Sequence, residues 1–271
     1  MTVPHTQATD TVLDVNHLEL SYQSAPAPRR TVLRNFSMQV RAGEIIALLG
    51  PSGVGKSSLL RVLAGLQPVE HGIVRLHGQK VTGPHPRLGF VFQSPNLLPW
   101  LTVEQNVGFG LDFRHQPAIS PSGKSQRVTQ ALQEVGLLQA KSLYPNELSG
   151  GMAQRAALAR CLAREPEIML LDEPFSALDE VTRQEMQELL LQLTQRHHAA
   201  AIIVTHDIDE ALLIADRVLL LGDNPGRLIG EWPVTQPHPR DDAIDALAAL
   251  RMEIVHAMRT TRKSGAPSKL H

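Results

Sequence analysis

The stretch GPSGVGKS, residues 50–57, decides the fold of this chain. It follows Ile45–Leu49, which is apolar at every position, as expected of a strand that is buried on both faces. It precedes a segment in which Leu59, Leu63 and Leu66 recur at helical spacing. A strand, a glycine-rich loop and a helix in this order predict the first unit of an α/β fold.

The spacing GxxxxGKS predicts a phosphate-binding loop. Its glycines permit a tight turn whose backbone N–H groups point inward, and the positive end of the following helix faces the same point. Lys56 supplies a charge for the β- and γ-phosphates of a nucleotide, and the Ser57 hydroxyl can bind Mg²⁺. The residues predicted to contact the phosphates are Gly50, Pro51, Ser52, Gly53, Val54, Gly55, Lys56, Ser57 and Ser58.

Two adjacent acids follow a second apolar run, Ile168–Leu171. Successive residues of a strand point in opposite directions, so Asp172 and Glu173 need not share one role. We assign Asp172 to the Mg²⁺ shell and Glu173 to the attacking water as general base. Two acids at the end of a strand are by themselves more typical of a solvated turn, but the phosphate loop favours the catalytic interpretation.

The remaining pattern predicts a mostly parallel sheet, because strands and helices alternate. Further strands are predicted at Val12–Tyr22, Asn35–Val40, Leu88–Phe92, Ala200–Thr205 and Arg217–Leu221, and a hairpin element at Gly72–Gly78. Helices are predicted at Val103–Leu111, Ser125–Leu138, Gly151–Ala163, Asp179–Arg196, Asp207–Ala215 and Asp242–Met258. Strand signals are missing between about residues 94 and 164, which we interpret as a helical insertion. The last helix is amphipathic and is expected to pack on the core.

The composition excludes several classes of protein. The chain carries 26 Lys and Arg against 27 Asp and Glu, so it lacks the general positive field of a dedicated nucleic-acid binder. The single cysteine, Cys161, cannot form an internal disulfide and indicates a reducing compartment. The first ten residues are too polar for a secretory signal, and no apolar run reaches the roughly 18 residues that cross a bilayer. We therefore expect a soluble, cytoplasmic protein.

Further motifs occur in the order found in the ATP-binding subunits of ABC transporters, and residues 12–222 resemble that family. The sequence LSGG at 148–151 resembles the family's signature loop, and Gln93 its Q-loop. The sequence SALD at 176–179 resembles the D-loop, and His206 the switch histidine. Tyr22 is placed like the aromatic residue that stacks on adenine.

The resemblance implies a P-loop NTPase core of the RecA type with a mostly parallel sheet, an antiparallel β subdomain and an inserted α-helical subdomain. It implies ATP and Mg²⁺ as cofactors, with Glu173, His206 and Lys56 as catalytic residues. The other residues that it assigns to ATP are Tyr22, Gln93, Ser149, Gly150, Gly151 and Asp179. Those that it assigns to Mg²⁺ are Ser57, Gln93 and Asp172.

The resemblance also implies a head-to-tail homodimer, because the signature loop serves the phosphate loop of the other copy. The expected partners are two transmembrane permease subunits and, indirectly, a periplasmic solute-binding protein, with no nucleic acid. The chain would then lie on the cytoplasmic face of the inner membrane. We divide it into a flexible N-terminus at 1–11, an ATP-binding domain at 12–222 with its helical part at about 94–164, and a tail at 223–271.

The signature loop departs from the family pattern at Met152, where a glutamine is usual. A thioether cannot donate a hydrogen bond as an amide can. Ser149, Gly150 and Gly151 retain the hydroxyl and backbone N–H groups that would contact phosphate. We expect activity to survive this departure, with weaker nucleotide-dependent dimerisation.

Two weaker features indicate the subfamily. The sequences NLLPW (96–100) and DNPGR (223–227) are similar to those of nitrate, sulfonate and taurine importers, and most similar to those of aliphatic sulfonate importers. Trp100 lies where that family receives a helix of the membrane subunit, although a place in the core is an equal alternative. Less favoured alternatives are a soluble ABC protein of DNA repair or translation, a protein that binds ATP without hydrolysing it, and an exporter.

Overall fold

Two β-sheets lie against each other in the computed structural model, which describes residues 11–22, 30–114, 116–240 and 243–264. The first sheet is antiparallel and has the strand order β2-β1-β4-β5. Its strands are β1 (Thr11–Tyr22), β2 (Arg30–Arg41), β4 (His71–Leu76) and β5 (Gln79–Lys80). This sheet supplies one apolar face of the core and confirms the antiparallel β subdomain.

The second sheet has six strands in the order β10-β9-β3-β8-β7-β6. Its strands are β3 (Ile45–Leu49), β6 (Leu88–Val91), β7 (Ile168–Asp172), β8 (Ala200–Val204), β9 (Arg217–Gly222) and β10 (Arg227–Pro233). All neighbours pair in parallel except β9 and β10, so the mostly parallel sheet is confirmed. The carboxyl ends of its parallel strands meet at one edge, which brings together the residues that follow β3, β7 and β8.

The parallel sheet is covered on both faces, as its uninterrupted apolar strands predict. In β3, Ile46 and Leu48 face the core shared with the antiparallel sheet. The alternate residues Ile45, Ala47 and Leu49 face the helices on the other side. Both faces of β3 are therefore buried, which accounts for the lack of polar residues in this strand.

Seven α-helices connect or cover the sheets in the described part of the chain. They are α1 (Lys56–Leu63), α2 (Val103–Val107), α3 (Pro121–Glu134), α4 (Gly150–Leu162), α5 (Glu180–His197), α6 (Ile208–Ile214) and α7 (Ile244–Ser264). The described residues between 94 and 164 contain helices and turns but no strand, in agreement with the inserted helical subdomain. Two short 3₁₀ turns, Leu138–Ala140 and Pro145–Glu147, separate α3 from α4.

Several predicted boundaries were wrong. Helix α1 ends at Leu63 because Gly65 adopts a φ of 70° and directs the next N–H back to Arg61, so Leu66 leaves the apolar stripe and is 49% exposed. Helix α3 begins one turn earlier than predicted, since the Ser120 side chain caps it and Pro121 occupies its first turn.

The strand β10 was missed altogether, because its glycine and terminal proline are unfavourable for a strand interior. It forms an edge strand, where both residues are tolerated. Strand β2 begins at Arg30 instead of Asn35, and Asn35 has a φ of 51° beside an irregular part of the pairing with β1. The predicted N-terminal segment lies outside the described residues apart from Thr11, which begins β1.

The C-terminal helix packs on the core, as its apolar stripe predicts. Leu247 and Ile254 are buried in the cluster on the helical side of the parallel sheet, and Leu250 and Met258 lie against it. The helix contacts α6, β9 and β10. Residues 244–264 are therefore part of the folded unit.

We expect Ile254→Ala to lower the free energy of unfolding by about 2–4 kcal/mol, because it leaves a cavity under α7 that the surrounding side chains cannot fill. The measurement is chemical denaturation of the full chain. Met252→Ala is the matched control, since Met252 lies on the same helix and is 60% exposed. Equal effects of the two substitutions would contradict the packing of α7 described above.

Candidate functional site

The phosphate loop runs from the end of β3 to the start of α1 and passes close to backbone on two sides. Gly50 has a φ of 152°, and a Cβ atom there would lie 2.4 Å from the carbonyl oxygen of Leu221. Gly55 has a φ of 108°, and its Cβ would lie 2.9 Å from a methyl group of Val32. Side chains are excluded at both positions, so the glycines of the motif are required by conformation and by space.

Lys56 lies inside this loop and is 5% exposed. Its ammonium group donates hydrogen bonds to the carbonyl oxygens of Gly50, at 2.7 Å, and Pro51, at 3.1 Å. Burial lowers the pKa of Lys56, and the charges of Glu173 and Asp172 partly offset this effect. A desolvated cation of this kind gains more from an anionic ligand than an exposed lysine would.

Ser57 and Asp172 meet although they lie 115 residues apart in sequence. The Ser57 hydroxyl donates to Oδ1 of Asp172 at 2.8 Å. Burial raises the pKa of Asp172, whereas the hydrogen bond from Ser57 and the charge of Arg61 lower it. A hydroxyl and a carboxylate oxygen at this spacing are the hard ligands that Mg²⁺ prefers, so the residues present fit this ion.

Glu173 is the centre of a small polar cluster. Its backbone has a φ of 46° and its N–H donates to the carbonyl oxygen of Val204, at 3.0 Å. Its carboxylate accepts a hydrogen bond from Nε2 of Gln93 at 3.4 Å and lies 3.6 Å from Nδ1 of His206. The ends of β6, β7 and β8 thus bring these three predicted residues together. Glu173 is partly exposed and His206 is exposed, so both remain open to a ligand.

The predicted signature residues begin helix α4. The Ser149 hydroxyl caps this helix by accepting the N–H of Met152 at 3.2 Å. Ser149 and Gly150 are exposed, and no hydrogen bond within the described residues joins them to the phosphate loop. The structure therefore does not bring these residues into the site of their own chain.

Asp179 is likewise a helix cap, at the start of α5. Its carboxylate accepts the N–H and the hydroxyl of Thr182, and these bonds lower the pKa of Asp179. Thr182 also packs on the signature loop, because a Cβ at Gly151 would lie 2.6 Å from its methyl group. The predicted D-loop and signature loop of one chain are thus neighbours.

Tyr22 lies at the end of β1 and is 39% exposed. Its hydroxyl donates to Oε1 of Gln67 at 2.8 Å, beyond the end of α1. This bond leaves the ring on the surface of the antiparallel sheet. The predicted stacking on adenine stays a prediction.

The comparisons with known proteins agree with this geometry. Residues 33–176 match the family model described as ABC transporter. The chain belongs to the ABC transporter family.

Individual relatives of this ABC protein are similar over most of their length. An aliphatic sulfonates import ATP-binding protein of Burkholderia cenocepacia is 48% identical over 88% of this chain and 87% of its own. A protein of the same description from Bacillus subtilis is 40% identical over 86% of this chain and 89% of its own. A dimeric ATP-binding cassette solved in a post-hydrolysis state with ADP and Pi is 30% identical, with a TM-score of 0.72 over 83% of this chain and 100% of that one.

The sequence analysis missed two features that lie near the site of this ABC protein. The turn at 223–227 packs on the phosphate loop, since a Cβ at Gly226 would lie 2.3 Å from the carbonyl oxygen of Val54. It borders a cavity of about 190 Å³ that is also lined by Arg30 and Ser52. The second group is the buried acid Glu210 on α6. The sequence pattern of this amphipathic helix did not indicate that Glu210 is buried.

We expect Lys56→Ala to weaken ATP binding by at least about 100-fold, because it removes both the buried charge and the two hydrogen bonds that hold the loop. The measurement is the Kd of ATP by calorimetry or fluorescence. Lys80→Ala is the control, since Lys80 is an exposed lysine of the other sheet. Unchanged affinity of Lys56→Ala would refute the assignment of residues 50–57.

Proposed function

We propose that this chain is the ATP-hydrolysing, energy-coupling subunit of an importer for aliphatic sulfonates. The single observation that carries the ATPase activity is the position of the Glu173 carboxylate. Its Oε2 atom accepts a hydrogen bond from Gln93 at 3.4 Å and lies 3.6 Å from Nδ1 of His206, and Glu173 directly follows the Asp172 that bonds the phosphate loop. The importer and its solute are inferred from the relatives, which are named for aliphatic sulfonate import.

The phosphate loop would bind the triphosphate through its inward N–H groups and the Lys56 ammonium. Lys56 already spans the loop by its bonds to Gly50 and Pro51, so the loop is preorganised for an anion. Ser57 and Asp172 would hold Mg²⁺, which neutralises charge on the β- and γ-phosphates when it is bound. These residues would bind and orient the nucleotide, and other residues would transfer the proton.

Glu173 would accept the proton of the attacking water. One oxygen of its carboxylate, Oε2, has two close polar neighbours, Gln93 and His206, which restrict its orientation. His206 is open to solvent and can contact the γ-phosphate once a nucleotide is bound. Glu173 would thus act as the general base, and Gln93 and His206 would hold its carboxylate in position.

The active unit would be a homodimer. Ser149 and Gly150 are exposed at the start of α4, and within the described part of the chain no hydrogen bond joins them to their own phosphate loop. A second copy could place these groups on the ATP bound at Lys56, as the helix start offers both a hydroxyl and free N–H groups. The solved relative with ADP and Pi is dimeric, which supports this arrangement.

Membrane attachment would come from two permease subunits at the cytoplasmic face of the membrane. None of the described helices combines the length and apolar composition that a bilayer crossing requires. Trp100 is 69% exposed, so its alternative place in the core was wrong. Leu98, two residues before it in sequence, lines a groove of about 360 Å³ together with Phe109 and Phe113, between the helical region and β6. An exposed tryptophan beside an apolar groove suits contact with a partner helix.

Glu173→Gln should bind ATP with normal affinity and hydrolyse it at least about 100-fold more slowly, because an amide cannot take the proton of water. Phosphate release under saturating ATP measures the rate, and equilibrium binding measures the affinity. Glu180→Gln, an exposed acid at the start of α5, serves as control. Turnover near that of the unsubstituted protein would move the role of base to another residue.

Sulfonate uptake tests the proposed transport. In cells that lack this chain, uptake of radiolabelled ethanesulfonate should be lost, and it should be restored by the chain but not by its Glu173→Gln variant. Taurine and nitrate are measured in the same cells. Loss of taurine or nitrate uptake alone would reassign the solute, and an unchanged profile for all three would refute the importer.

A further inference from the structure

Helix α6 begins two residues after His206 and continues the turn that carries this histidine. The hydroxyl oxygen of Thr205 accepts the N–H of Asp207 at 3.0 Å. The Asp207 carboxylate accepts the N–H groups of Asp209, at 2.9 Å, and Glu210, at 3.2 Å, and so caps the helix. The backbone of His206 is thus held between the end of β8 and the start of α6, and its position depends on how α6 lies against the sheet.

Arg240, which lies after β10, holds the end of α6. Its side chain is 1% exposed. The guanidinium donates to the carbonyl oxygens of Leu212, at 3.0 Å, and Ala215, at 2.6 Å. It also donates to those of Val234, at 3.2 Å, and Gln236, at 2.7 Å. The last turn of a helix leaves carbonyl oxygens without partners inside the helix. One buried side chain therefore joins the end of α6 to the segment that follows β10.

Arg251 of α7 holds the start of α6. Its Nε atom donates to Oδ1 of Asp209 at 2.6 Å, and a second nitrogen donates to Oδ2 at 3.2 Å. Asp209 lies in the first turn of α6, three residues after His206. A bidentate pair of this kind fixes the direction of the contact as well as its distance. Both side chains are largely exposed, so the pair contributes little to the stability of the fold.

Apolar contacts join the same two helices. Leu247 and Ile254 of α7 are buried in the cluster that also contains Ala211 and Leu212 of α6. Helix α6 is therefore held at both ends and along its buried face by residues that follow β10. Every residue assigned above to ATP or Mg²⁺ lies at or before His206, so these contacts come from a part of the chain with no assigned role in nucleotide binding.

We propose that residues 234–240 and 243–264 form a C-terminal brace that positions His206 through α6. Arg240 fixes the end of α6, and Arg251 is the positioning residue at its start, close to His206. Nδ1 of His206 lies 3.6 Å from the Glu173 carboxylate, so a small displacement of α6 changes a contact that orients the proposed base. The inference rests on the proposed ATP hydrolysis, because it concerns the rate of that reaction.

The first test is the steady-state ATPase activity of the full chain with Arg251→Gln. We expect kcat to fall about three- to fivefold, because the start of α6 is no longer fixed and His206 is less often beside Glu173. The KM for ATP should not change, since Arg251 lies outside the nucleotide site. Arg259→Gln is the matched control, because Arg259 is another exposed arginine of α7. Equal rates of the two variants would overturn the proposal.

The partner of Arg251 gives an independent test. Asp209→Asn should lower kcat as much as Arg251→Gln does, and the double variant should be no slower than either single variant. Asp209→Glu keeps the charge and should keep most of the activity. Additive losses in the double variant would show that the two residues act separately, and this result would overturn the brace.

The imidazole signals of His206 in NMR spectra distinguish positioning from structural damage. His206→Gln assigns these signals by their disappearance. Arg251→Gln should shift them, and it should leave those of His71, an exposed residue of the antiparallel sheet, unchanged. The Tm should also stay the same, because the ion pair is exposed. Slower turnover with a lower Tm and unshifted His206 signals would assign a structural role and overturn the proposal.

The ATPase assay separates this inference from the proposed function. If the unsubstituted protein hydrolyses ATP no faster than Lys56→Ala, the ATPase assignment itself fails. If it hydrolyses ATP, and both Arg251→Gln and Asp209→Asn keep its kcat, the ATPase assignment stands and the C-terminal brace is refuted.

Discussion

The hydrogen bond from Ser57 to Asp172 is the interaction on which the site depends. It joins the first turn of α1 to the end of β7, at 2.8 Å, across 115 residues of sequence. The bond forms because β3 and β7 flank β8 in a parallel sheet, so that their carboxyl ends open at one edge. Whatever follows those strands is brought to the same place, including Glu173 and His206. The chemistry of the site is in this sense a consequence of strand order.

The near-zero net charge of the chain conceals strong local fields. Burial lowers the pKa of Lys56 and raises those of Asp172 and Glu210, so each charged form is partly desolvated in the folded protein. Groups that are desolvated without full compensation interact strongly with a charged ligand or with each other. The same burial that costs stability thus prepares the loop for phosphate and makes the state of Glu210 sensitive to pH.

Predictions from sequence succeeded where one local rule dominated. The strand β3 was recognised because burial on both faces removes polar residues, and residues 50–57 because each glycine has a conformational reason. They failed where tertiary contacts overrode a local preference. The edge strand β10 contains glycine and proline and is held by its pairing with β9. For Trp100 the sequence left two places open, and its 69% exposure excludes the place in the core.

The sequence alone determined the phosphate loop, the α/β alternation and the identity of the residues that follow β3, β7 and β8, because these are encoded by spacing and by local burial. The tertiary structure alone decided which of them meet. It placed Gln93, Glu173 and His206 in one cluster and left Ser149 and Gly150 outside it. It also buried the Glu210 side chain on α6. The physical reason is that distances across a sheet depend on strand order and register, which no local pattern specifies.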